Sequence, residues 1–305
     1  MRFLSWFSVF LGILLIIFDF KPLAAQTPVI ERSQEICPGV EAHIRLLASE
    51  ATQETALSAI NHALTGARES CIILGEWDSR SQTKQLSQYA GQRPVAVGRD
   101  LKFLLPQVLS LADQTSGAFD PTAWSKKSES RYTDIWYDAS TGQAMLKRKG
   151  ATVSFRGLLN GYLADRIAAR LEGLNFHRYL ISVGKRVVKA QGMGEHSSWM
   201  VGIDDPRQPQ ADSVCRVALV DRSMVTVNDS AWVSEINSFP GAASFLSVTV
   251  LAPYAYEANA LANAAMVMGA RIQPLIESVP HRGAVLMDHN GRLQVFGSVP
   301  AACMF

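Results

Sequence analysis

The sequence predicts an α+β protein, a mostly antiparallel sheet with helices packed on it. Two stretches in the first half repeat apolar residues at helical spacing: Ala56, Ala59/Ile60, Ala63/Leu64 and Ala67, then Leu101, Leu104/Leu105, Val108/Leu109 and Ala112. The second half breaks into short apolar runs separated by Gly, Pro and Asp, the signature of strands, interrupted by one Ala-rich helix from Tyr254 to Gly269. The composition agrees with this class. Of 305 residues, 48% are hydrophobic and 18% charged, with 13 Pro and 21 Gly, which excludes a disordered, collagenous or coiled-coil chain.

From the N-terminus, Arg2 precedes a nearly unbroken apolar run, Phe3 to Phe18, and Leu23-Ala24-Ala25 offers small residues before Gln26. This is the pattern of a secretory signal over residues 1–25, since about 16 apolar residues fall short of the ~20 that span a bilayer. The expectation is a soluble, periplasmic mature chain with no stable membrane span after cleavage. Val40, Ala42, Ile44 and Leu46 alternate with Glu41, His43 and Arg45 as in a half-buried strand. The two periodic helices follow, over about Thr52–Glu69 and Arg99–Gln114, with a polar Gly75–Gly98 segment between them that reads as irregular surface. A third helix begins near Gly157 and ends at Gly173. Strands are expected at Tyr179–Val183, Met200–Ile203, Val214–Val220, Met224–Val227, Phe245–Leu251, Gly283–Met287 and Arg292–Phe296. Nothing along residues 26–305 marks a repeat or a strong linker, so one domain is expected.

Several function classes fall away. Lys+Arg 29 against Asp+Glu 27 leaves a net charge of +2 without dense basic runs, which argues against nucleic acid as a partner. Cys37, Cys71, Cys215 and Cys303 form no Cys-x-x-Cys, so they suit one or two disulfides rather than a zinc knuckle. For Cys71, within Cys71-Ile72-Ile73-Leu74, a buried free thiol is an equal alternative. Ser-x-x-Lys occurs at Ser81–Lys84 and Ser182–Lys185 without the partner motifs of a penicillin-recognising enzyme, which leaves a serine hydrolase on Ser81 and Lys84 a weak rival. Gly192-Met193-Gly194 reads as a turn, and the six His show no ligand spacing.

Three segments carry more. Ser116 to Thr122 places Phe119 beside Asp120 in a loop closed by Gly117 and Pro121. In Arg156-Gly157-Leu158-Leu159-Asn160-Gly161-Tyr162, the glycines allow close approach at a helix N-terminus, for an anion or for a packed neighbour. Asn259 and Asn263 stand at i and i+4 on the Ala-rich helix, either as a buried polar pair needing partners or as two solvent-facing amides.

In this order, these segments resemble the ApbE-like flavin transferase family, the FAD:protein FMN transferases, over nearly all of the mature chain. The resemblance also rests on Leu74-Gly75-Glu76-Trp77-Asp78-Ser79-Arg80-Ser81, on Trp199–Ile203 before Asp205-Pro206, and on Ser247–Val250 leading into the helix that ends at Met268-Gly269. It implies a T-fold-like architecture, FAD as donor, Mg2+ on its pyrophosphate, and transfer of FMN to a Thr or Ser of an acceptor protein with release of AMP. It also implies that Trp77, Ala118, Phe119, Asp120 and Tyr162 contact the flavin nucleotide, and that Leu159, Asn259 and Asn263 occupy the metal positions. Here the chain departs from the pattern. The family's Asp and Thr ligands are replaced by Asn259 and Asn263, an Asp by Ser154, and a His-x-x-Asp-Pro element by Ile236–Gly241. The Gly-Gly-Asp turn becomes Val183-Gly184-Lys185, which makes Lys185 or Arg186 a candidate to supply positive charge in place of a metal. Two readings follow: an enzyme with a weakened Mg2+ site, and a catalytically silent relative that binds FAD or a partner protein.

Overall fold

The computed structural model describes residues 28–123, 129–192, 198–208, 210, 213–228 and 245–299. The secretory signal expected over residues 1–25, together with Ile236–Gly241, Met193, Gly194 and Cys303, lies outside the described residues.

An eight-stranded antiparallel sheet organises the molecule, in the order β1 (Val29–Cys37), β2 (Val40–Leu47), β6 (Tyr179–Val183), β7 (Val187–Gln191), β10 (Arg222–Asn228), β11 (Ser247–Ala252), β12 (Gly283–Met287), β13 (Leu293–Gly297). Three helices cover one face: α1 (Gln53–Leu74), α4 (Arg156–Glu172) and α5 (Ala255–Met268). The hairpin β8 (Trp199–Ile203) with β9 (Cys215–Leu219) covers part of the other. Strand alternation explains both layers. Val225 and Val227 of β10 and Val248 and Val250 of β11 join the helix-side core, while Met224 and Leu251 join Trp199, Val217 and Leu219 beneath the hairpin. Covered on both faces, β11 is buried at every position.

The remaining elements are α2 (Gln82–Gln88), α3 (Arg99–Gln114), a short α6 (Gln273–Glu277), and a small sheet of β3 (Val95–Ala96), β5 (Gln143–Leu146) and β4 (Ile135–Asp138). The α+β class and the long helices match the sequence expectation. The segment expected to be irregular instead contains α2 and β3. With only Thr83 and Leu86 buried, α2 is too short to show periodicity. Its N-cap is Ser81, whose Oγ accepts the Lys84 N–H at 3.1 Å. Ser81 is thus a buried cap, and the serine-hydrolase reading falls. β1 escaped expectation because it is an edge strand that is mostly exposed along its first half.

Two close contacts set the helix layer. A Cβ on Gly161 would stand 2.2 Å from the Ala255 carbonyl oxygen and 2.7 Å from Tyr256 Cα, so α4 meets the start of α5 backbone to backbone. At that junction Asp165 accepts the Ala255 and Tyr256 N–H groups at 3.1 and 2.9 Å, capping α5 from α4, and pairs with Lys189 of β7 at 3.1 Å. Burial pushes the Asp165 carboxyl up, against the pull of Lys189 and the two N–H donors. The second contact is covalent: Cys37 at the end of β1 is disulfide-bonded to Cys71 in the last turn of α1, which removes the free-thiol alternative. Cys215 is disulfide-bonded as well.

Candidate active site

Between the start of α4, α5 and β10, a cavity of about 400 Å³ opens, a volume within the range of small-ligand sites. The first turn of α4 contributes Arg156, Gly157, Leu159 and Asn160, and α5 contributes Asn259 and Asn263. Thr226 and its neighbours on β10 form the floor, Arg186 and Val187 enter from the β6–β7 turn, and Cys37, Pro38 and Val40 come from the β1–β2 turn. Trp77 stands at the rim, 44% exposed. Its indole lies over Gly75 so closely that a Cβ there would sit 2.3 Å from the ring. The bare glycine backbone is what lets the ring fold back across the end of α1.

Trp77, Leu159, Asn259 and Asn263, four of the sequence-derived candidates, therefore share one cavity. The other four sit elsewhere. Phe119 is buried behind the α4 terminus, where a Cβ on Gly157 would meet its ring at 3.2 Å. The Ala118-Phe119-Asp120 loop is tied to that terminus by the Ser154 N–H, which donates to the Pro121 carbonyl at 2.8 Å. Asp120 spends its carboxylate on the loop: Oδ1 accepts from the Thr122 N–H and hydroxyl at 2.8 and 2.7 Å, Oδ2 from the Tyr132 N–H at 3.0 Å. Tyr162 is buried, stacks on Phe103 and donates its hydroxyl to Asp100 at 2.7 Å. Burial, then that bond, pushes its phenol above the usual range.

The two asparagines are neither solvent-facing nor unpartnered. Asn259, 7% exposed, accepts the Gly161 N–H at 3.3 Å through Oδ1. Asn263 donates through Nδ2 to the carbonyls of Gly157 and Asn259 at 2.9 and 2.8 Å, which fixes its amide orientation because both partners are acceptors. The pair thus bridges α4 and α5. As a donor set for Mg2+ these residues do not fit. Leu159, Asn259 and Asn263 offer only neutral oxygens, where Mg2+ favours anionic ones. Two guanidinium-bearing side chains line the same cavity, and among the described residues no group of three or more His, Cys, Asp or Glu could hold a metal.

Comparison with known proteins agrees with this architecture. The family model described as "ApbE family" matches residues 39–287. The chain belongs to the ApbE family. Within it, a FAD:protein FMN transferase of Treponema pallidum (strain Nichols) is 24% identical over 260 residues, covering 70% of this chain and 72% of the relative. The ApbE protein of Thermotoga maritima MSB8 superposes with a TM-score of 0.73 at 19% identity, over 88% of this chain and 97% of its own. The flavin transferase ApbE of Vibrio cholerae gives 0.71 at 15% identity, over 91% and 99%. FAD:protein FMN transfer is the activity of the ApbE family. Sequence reasoning did not foresee that Cys37, Pro38 and Thr226 line the site; no local motif marks them, because strand pairing alone brings them there.

Proposed function

We propose that this chain transfers the FMN half of FAD to a Thr or Ser hydroxyl of an acceptor protein outside the cytoplasm. The observation that carries the reading is the cavity itself, which gathers the Trp77 ring, the start of α4 and the α5 amides beside basic side chains. An exposed indole can stack on a flavin or adenine ring, and basic side chains suit a diphosphate. In the transfer, the acceptor hydroxyl oxygen bonds the phosphorus of the FMN phosphate. The anhydride bond to AMP breaks, AMP leaves with its electron pair, and the hydroxyl proton passes to solvent, since Asn259 and Asn263 cannot serve as bases near neutral pH. The Cys37–Cys71 disulfide and the apolar leader both support an oxidising, extracytoplasmic setting.

The inward hydrogen bonds of Asn259 and Asn263 favour a second reading, a silent relative that keeps the nucleotide site. Intact-mass measurement of a Thr-bearing acceptor domain, after incubation with FAD and the protein with and without Mg2+, separates the two. The transferase reading expects an FMN adduct with the native chain. An adduct only with Asn259→Asp/Asn263→Thr supports the silent reading, and no adduct with either protein overturns transfer.

A further inference from the structure

Among the described residues the charged side chains lining the cavity are all basic, and few backbone N–H groups at the start of α4 are free to hold an anion. Arg156 and Arg186 line it together with Asn160, Asn259 and Asn263, and among the described residues no acidic side chain does. The start of α4 has few N–H groups to spare: Leu158 and Leu159 both donate to the Phe155 carbonyl, at 2.9 and 2.7 Å, and the Arg156 N–H meets Ser154 Oγ at 3.4 Å. Most of the attraction therefore falls to side chains. Arg156 is held only loosely, with Glu76 at 3.7 Å and the two side chains 50% and 35% exposed, so a phosphate can displace that contact. Arg186 takes part in no ion pair among the described residues, whereas Lys185 is exposed and outside the lining.

We propose that Arg156 and Arg186 hold the diphosphate of a dinucleotide in this cavity in place of a divalent cation, so that binding is metal-independent. This rests on the flavin-nucleotide reading above. A guanidinium presents paired N–H donors that match two phosphate oxygens, and it keeps its charge at every physiological pH. Two such groups on separate elements, the α4 terminus and the β6–β7 turn, would grip the diphosphate from different sides and repel a competing Mg2+. The carboxamides add neutral donors without cancelling that charge.

Titration calorimetry with FAD and, separately, with inorganic pyrophosphate, each in EDTA and in Mg2+, tests the proposal on the native protein, Arg156→Ala, Arg186→Ala, Arg186→Lys and Lys185→Ala. Thermal midpoints confirm that each variant folds. The expected result is native FAD affinity unchanged by EDTA, a loss of at least about tenfold in each Arg→Ala variant, partial recovery in Arg186→Lys, and no change in Lys185→Ala. FAD binding that disappears in EDTA and returns with Mg2+ overturns the proposal, as do Arg→Ala variants that bind like the native protein. Arginine-dependent pyrophosphate binding without FAD binding upholds the diphosphate site and sinks the flavin reading instead. Absence of both ligands from the folded protein overturns the proposal as well.

Discussion

Gly75 shows how one missing Cβ can govern a binding surface. The Trp77 ring occupies the space a side chain at Gly75 would need, so Gly75→Ala forces the indole off the rim. The expected outcome is a several-fold loss of FAD affinity with little change in thermal midpoint, read by quenching of flavin fluorescence. Trp77 was legible in the sequence as a candidate, but its dependence on Gly75 was not, since nothing in Leu74-Gly75-Glu76-Trp77 states which way the indole turns. Asn259 and Asn263 illustrate the same divide. Their i, i+4 spacing announced a shared face, while their partners, Gly157 and Gly161, lie about a hundred residues earlier in the chain. Tyr162 is the converse: the family pattern drew attention to it, and the fold turns its hydroxyl into a bond with Asp100.

Among the elements, the Cys37–Cys71 bridge joins the two walls of the site, the β1–β2 turn and the end of α1 that leads to Trp77. Cross-linking residues 34 apart restrains the unfolded chain by about 3–4 kcal/mol in the loop-entropy account. Reduction, or Cys37→Ser/Cys71→Ser, should therefore lower unfolding free energy by roughly that amount, measured by urea denaturation, and should weaken FAD binding as the walls loosen. The helices α1, α3 and α4 were legible because each buries an apolar stripe at helical spacing, and α5 because its Ala-rich run is long and apolar. The short strands β3, β4 and β5 were not, because two to four residues carry too little pattern to tell a strand from a turn, and in β7 the buried Lys189 interrupts the apolar run.

For the molecule as a whole, pH dependence follows from groups spread over several loops. Hydrogen bonds hold the Asp78 and Asp138 carboxyls down to about 2, from Arg80 and from Ser140 with Thr141, and Asp205 is lowered by Arg207. Their contribution to stability is complete above the usual carboxyl pKa of about 3.9 and is lost as pH falls toward 2. Buried Tyr162, Tyr179 and Tyr256 have raised phenol pKa values, so their contribution is complete below about 10 and is lost as pH climbs beyond it. Thermal midpoints should fall at both limits, with a decline just above the usual carboxyl pKa from Asp165, whose raised pKa makes its contribution fall as pH rises, and Asp138→Asn should flatten the acid edge. A midpoint that showed no loss at the acid limit would contradict this assignment.

Composition, apolar periodicity and the order of a few motifs were enough to establish an α+β chain and its family, because each is a local property repeated along the backbone. The site is a different kind of object. Its floor, rim and charges come from β1, α1, α4, β6–β7, β10 and α5, which only strand order and the close approach at Gly161 bring to one place. Whether Asn259 faced water, whether Cys71 stayed reduced, and whether Lys185 or Arg186 entered the cavity were decided by contacts between residues far apart in the chain. No reading of spacing could resolve them, because the energies that chose among those alternatives arise only when distant segments pack.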